Sequence, residues 1–88
     1  MLRITRVVNN GTTTVRLEGK LLAPWVEPLC AECAEVVAAA GRSVIDLSAV
    51  TFLDDAGALA VRGLIAEGHE VVGCRGFVKE LLGAEQGA

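Results

Sequence analysis

The 88-residue chain is predicted to form a single α/β domain spanning residues 1–88. The expected architecture is a small mixed four-stranded sheet, an antiparallel hairpin followed by parallel strands, with about three helices packed largely on one face. Three observations predict it. An alternating segment runs into Asn9-Asn10-Gly11 and emerges as a second alternating segment, the pattern of a hairpin. From Pro24 to Ala40 the apolar period changes to that of a helix. Beyond it, short apolar runs alternate with helical patterns, the order β-β-α-β-α-β-α that parallel strands with right-handed crossovers require.

In the first strand Leu2, Ile4 and Arg6 fall on one side and Arg3, Thr5 and Val7 on the other. Thr12 to Glu18 is β-branched and alternating, Val15 and Leu17 lying opposite Thr14, Arg16 and Glu18, so it returns with one wet face and ends at Gly19. Trp25, Val26, Leu29, Cys30, Cys33, Val36, Val37 and Ala40 then form one helical stripe, with Glu35 pointing away from it and Gly41 as the stop. Pro24 and Pro28 compete for its first turn. Because a second proline breaks a ladder begun at the first, the regular helix is expected from Pro28.

Ser43 to Leu47 is a short apolar run, the pattern of a central strand covered on both faces. A second helix is expected from Asp54-Asp55, where a carboxylate can accept free first-turn N–H groups, to about Glu67 before Gly68. Between Ala56 and Ala66 the only charge is Arg62, and Leu59, Ala60, Val61, Leu64 and Ile65 spread over more than half the helical wheel. That surface is either buried on both sides or left exposed. Glu70 to Cys74 reads as a fourth strand and Phe77 to Leu82 as a last helix ending at Gly83, while Ala84 to Ala88 has nothing to order it.

Composition narrows the function. At 52% apolar residues the chain can build a core rather than remain disordered. Phe52, Phe77 and Trp25 are its only aromatic residues and its net charge is −3, a poor match to nucleic acid. The longest uncharged apolar-rich run, Leu47 to Leu53, is far short of the roughly 20 residues of a membrane span, and Met1-Leu2-Arg3-Ile4 lacks a signal-peptide pattern. A cytoplasmic location without membrane insertion is therefore expected. Three cysteines, an odd number, argue for reduced thiols rather than a disulfide framework.

Cys30-Ala31-Glu32-Cys33 is a C-x-x-C, and with His69 and Cys74 it makes a nominal zinc set. The favoured reading is packing: Cys30 and Cys33 fall in the apolar stripe and Cys74 ends an apolar strand, so all three behave as small buried hydrophobes. A redox role wants the C-x-x-C directly after a strand, and Leu21 to Glu27 intervenes. His69 falls in a turn where exposure is the ordinary outcome, with no Ser or Cys nucleophile placed beside it. Asp46 is expected to anchor the loop that leads to Asp54 rather than to act in acid–base chemistry. Trp25 is read as a core cap at one end of the sheet. No glycine-rich phosphate loop occurs.

The segment Val44-Ile45-Asp46-Leu47-Ser48, continuing through Phe52-Leu53-Asp54-Asp55-Ala56-Gly57 to Leu59, resembles the signature of the STAS family of bacterial anti-sigma-factor antagonists. There a strand ending Asp-Leu-Ser is followed by a hydrophobic-Asp-Ser-Ser-Gly turn that opens a helix. Leu17-Glu18-Gly19-Lys20-Leu21-Leu22 is similar to the family's second strand and the turn after it, so the resemblance covers essentially the whole chain. It implies a binding module rather than an enzyme, with no cofactor. In the sigma-factor branch it also implies partner switching, in which a Ser or Thr after the motif Asp is phosphorylated by the partner kinase and the complex breaks. Asp54 matches the motif Asp, but Asp55 stands at the phospho-acceptor position and Ala56 at the second hydroxyl position. Asp55 carries roughly half the charge of a phosphate.

Two versions follow: Asp55 fixes a phospho-like state, or the protein is an unswitched binder whose contact face is the helix after Asp55. The second is favoured; the plainest alternative is an N-cap with a favourable first-turn charge. The expected partner-binding residues are Asp54, Asp55, Ala56, Gly57, Leu59 and Arg62, with no catalytic and no metal-binding residue. The expected partner is an anti-sigma factor or kinase-like protein, or alternatively the ATPase of an ABC-type phospholipid transporter. The competing class is a small thiol or zinc protein using Cys30, Cys33 and Cys74, and a homodimer through the apolar second helix is a third possibility.

Overall fold

The computed structural model describes residues 2–74 and Gly76. Its elements are β1 (Leu2–Asn9), β2 (Thr12–Leu21), α1 (Ala23–Ala40), β3 (Val44–Leu53), α2 (Asp55–Ala66) and β4 (Glu70–Val72). The sheet order is β1-β2-β3-β4, antiparallel at β1-β2 and parallel at the other two pairings. Both helices pack on one face, as expected; two occur among the described residues rather than about three, and the expected helix from Phe77 to Leu82 lies outside those residues.

The hairpin turns at Asn10 and Gly11, both at positive φ (53° and 80°), the geometry that a two-residue turn needs to match strand twist. Leu2, Ile4 and Arg6 share the helix-facing side of β1: Leu2 is buried, Ile4 packs against the core, and Arg6 forms ion pairs with Glu32 and Glu35 of α1. The core beneath the helices is built from Val15, Leu17 and Leu21 of β2 and Ile45, Leu47, Val50 and Leu53 of β3. Leu29, Cys33 and Val36 of α1 and Ala58, Val61 and Leu64 of α2 close it. Trp25 is half-buried against this cluster, consistent with the cap expected of it.

Both central strands outrun their expected ends. β2 continues through Gly19, held at φ 106°, to Leu21, and β3 runs to Leu53 instead of stopping at Leu47. The reason is bulging. The pairing passes from Arg16↔Asp46 to Glu18↔Ala49 and from Gly19↔Val50 to Lys20↔Phe52, so β3 carries one extra residue at each step. Each extra residue inverts the inward phase, which keeps Ile45, Leu47, Val50 and Leu53 all buried although they do not alternate in sequence. β4 is shorter than expected, ending at Val72 rather than Cys74.

Helix α1 also differs from expectation at its start. It is helical from Ala23, straight through Pro28, and Gly41 ends it in the left-handed region with its N–H on Val37 O (2.7 Å). Pro28 removes one ladder hydrogen bond, and the first turn is instead held from outside, by a side chain of the loop before α2.

Candidate functional site

Asp54 is the residue that organises this end of the molecule. Its Oδ1 accepts from Gly57 N (2.7 Å), capping α2, and its Oδ2 accepts from Ala23 N (2.8 Å), holding the first turn of α1. Its own N–H donates to Leu21 O (3.2 Å) at the end of β2. One carboxylate thus ties together two helix starts, each with a backbone N–H that would otherwise lack a partner, and the same residue's N–H holds the carbonyl at the end of β2. The expected N-cap is observed; the second cap, on α1, could not be read from sequence because Ala23 lies 31 residues away.

Gly57 completes the junction. It is buried, and a Cβ built on it would stand 2.4 Å from Leu21 O, so the first turn of α2 lies directly against the end of β2. Asp55, Ala56, Leu59 and Arg62 sit around this seat. Asp55 is exposed in the first turn, where a negative charge complements the helix dipole. Ala56 and Arg62 are half-buried, and Leu59 is 67% exposed. At 100° per residue Asp55, Leu59, Arg62 and Ala66 share the outer face of α2, opposite the buried Gly57, Val61 and Leu64. Of the two outcomes open for the apolar surface of this helix, the exposed one holds for Leu59 and, at 42%, for Ile65.

No protein-family model matches the chain, and no curated protein matches it. Solved structures do. The antisigma-factor antagonist STAS domain from Rhodobacter sphaeroides is 27% identical over 82% of this chain and 86% of its own, with a TM-score of 0.60. The anti-sigma factor antagonist SpoIIAA in its unphosphorylated form matches the full length of both chains at 17% identity and a TM-score of 0.59. The fold is STAS-like. An uncharacterized Shewanella loihica PV-4 protein with a SpoIIAA-like fold agrees, at 15% identity, a TM-score of 0.62 and coverage of 97% of this chain and 75% of that one.

On the STAS-like frame the other singled-out residues separate from the Asp54 junction. Asp46 is the hydrogen-bond acceptor expected of it: its Oδ1 accepts from Ser48 N (2.9 Å), on the segment that leads to Asp54. That N–H is thus satisfied by the side chain two residues back. The cysteines differ from expectation, since Cys33 is buried and Cys74 half-buried, but Cys30 is exposed. Cys30 lies at the edge of the α1 stripe and the neighbouring helix covers only its centre. Among the described residues no group of three or more His, Cys, Asp and Glu side chains is placed to hold a metal ion.

His69 is not exposed either. Its side chain is only 9% exposed, and Nδ1 lies 2.5 Å from Oγ of the buried Ser43. A serine therefore does stand beside the histidine, brought there by the β3-β4 pairing. Around this pair the N–H groups of Gly41, Glu67, Gly68, His69 and Glu70 are donated to backbone carbonyls.

Two expectations follow. Asp54→Ala lowers stability by about 1–2 kcal/mol, and Asp54→Asn, which keeps a single acceptor oxygen, falls between it and the parent in urea unfolding. Burial pushes the Cys33 thiol up to about 11 from an ordinary value of 9.0. The folded state then holds this proton more tightly than the unfolded chain, so the contribution of Cys33 is intact below about pH 9 and is lost as pH rises from 9.0 to about 11. Native thiol titration near neutral pH labels Cys30 and leaves Cys33 unmodified until the chain is unfolded.

Proposed function

We propose that this STAS-like domain is a non-catalytic protein-interaction module whose contact surface is the Asp54–Asp55 loop and the outer face of α2. The observation that carries the reading is Leu59, a large apolar side chain 67% exposed at the centre of that face, one turn after an exposed Asp55. An exposed apolar residue seated on a rigidly anchored helix is a suitable interface anchor, since little backbone freedom remains to be lost on binding. The likeness at 27% identity to an antisigma-factor antagonist supports a regulatory protein as the partner. A kinase-like protein or anti-sigma factor fits first and a transporter ATPase second.

In this reading Asp54 and Gly57 set the position of the helix start, Asp55, Ala56, Leu59 and Arg62 make the contact, and Asp55 replaces a phosphorylatable hydroxyl with a fixed single charge. The domain is then an unswitched binder. Its test is co-purification of the tagged chain from its own cells, repeated with Asp55→Ala and Asp55→Ser. The expected result is one stoichiometric partner retained by both variants with altered affinity. Recovery of the chain alone, in a monomeric state, would overturn the proposal; recovery of a concentration-dependent homodimer would replace the partner with a second copy.

A further inference from the structure

At the opposite end of α2 from Asp54, about 18 Å away by helix rise over the 12-residue helix, a cavity of about 430 Å³ opens between the C-terminal ends of α1 and α2. We propose that it is a binding site for a small aliphatic primary amine, with the ammonium group seated between His69 Nε2 and the Glu67 carboxylate and the hydrocarbon stem against Ala34, Val37 and Ala38. The site is separate from the partner-binding face and does not depend on it.

Three features of the cavity select this chemistry. The first is hydrogen-bonding capacity. The 2.5 Å contact between His69 Nδ1 and Ser43 Oγ accommodates either tautomer; in the one with the ring proton on Nδ1, which the proposal requires, the Nε2 lone pair lies 3.8 Å from Glu67 Oε1. That gap is too long for a hydrogen bond between the two and leaves room for one nitrogen donor to bridge them. A primary ammonium has three such donors. The His69 side chain is 9% exposed, so this acceptor is held in place and largely shielded from water.

The second feature is field. Both helices direct their negative dipole ends at this region, and neither carries a basic residue in its last turn. Gly41 caps the carbonyl of Val37, but no backbone donor among the described residues reaches those of Ala38, Ala39 and Ala40. Arg42, the cation that also lines the cavity, directs its Nη2 to Glu70 at 3.4 Å, and among the described residues no Lys or Arg pairs with Glu67. An anion would meet helix carbonyls and a carboxylate; a cation is complementary to both.

The third feature is the wall. Ala34, Val37 and Ala38 present an apolar strip one helical turn long beside the polar pair, which suits a short alkyl stem and offers a bulky polar ligand no partners. The volume falls in the range of small-molecule sites, about 300–1,000 Å³.

The test uses the full chain and hexylammonium as the probe, followed by amide chemical shifts and by calorimetry, with 1-hexanol and hexanoate as controls. Saturable shifts are expected at Ala34, Ala38, Gly68 and His69 and none at Asp55 or Leu59. Glu67→Gln, at a side chain 72% exposed and therefore neutral for folding, is expected to weaken binding about tenfold, the loss of one charge-assisted hydrogen bond. Hexanol should bind at least about tenfold more weakly than the amine. The proposal is overturned if hexylammonium gives no saturable shift, if hexanol or hexanoate binds as tightly, or if Glu67→Gln binds like the parent.

Discussion

Leu59→Asp is expected to weaken partner binding by roughly thirtyfold or more while leaving the fold intact. The size of the loss is that of an interface anchor, about 2 kcal/mol or more, converted to affinity. The fold survives because Leu59 is 67% exposed and buries little against the core, so its removal forfeits few contacts. The new carboxylate meets Asp55 one turn before it and Arg62 one turn after it. The repulsion and attraction are each a few tenths of a kcal/mol and roughly cancel. Thermal unfolding within a few degrees of the parent, together with lost binding, is the expected pair of readings. A variant that binds its partner normally would remove α2 from the interface.

Gly57→Ala is expected to be strongly damaging, costing about 3 kcal/mol and lowering Tm by roughly 10–20 °C. The added Cβ would stand 2.4 Å from Leu21 O and 3.2 Å from the carbonyl carbon, backbone atoms at the end of a central strand. No side-chain rotation relieves that contact, so the start of α2 must lift from β2 and the two Asp54 caps must stretch with it. Gly63→Ala is the matched control. It is in the same helix with nothing within 4 Å of its Cβ position, and there the substitution should stabilise by about 0.5–1 kcal/mol through helix propensity alone. Urea midpoints that move in opposite directions confirm the close approach; equal midpoints contradict it.

The contrast between these two glycines illustrates what the sequence could and could not carry. The hairpin, the α1 stripe with its Gly41 stop, and the Asp54 cap were legible because each is a local pattern a few residues long. The extent of β3 was not. A strand that keeps one face buried by inserting an extra residue twice has no two-residue period beyond Leu47, and the bulges show only against the register of β2. The start of α1 at Ala23 was hidden for a related reason, since the acceptor for Ala23 N is Asp54, supplied from across the fold. Ser43 opens an apolar run and His69 falls in a turn 26 residues on, and it is the parallel pairing of β3 with β4 that brings them to 2.5 Å. At the candidate site, the capping role of Asp54 was visible in sequence, whereas the burial of Gly57 against Leu21 and the 67% exposure of Leu59 required the packing of α2 on the sheet.

The claim that the outer face of α2 meets a protein partner is tested most directly by placing a photo-crosslinking residue at Leu59 and, as a control, at Val8, which is 70% exposed beside the hairpin turn. Irradiation in the protein's own cells should yield one discrete adduct with a different protein from position 59 and none from position 8. Adducts from position 8 alone, or a position-59 adduct with the mass of two copies of this chain, would contradict the account.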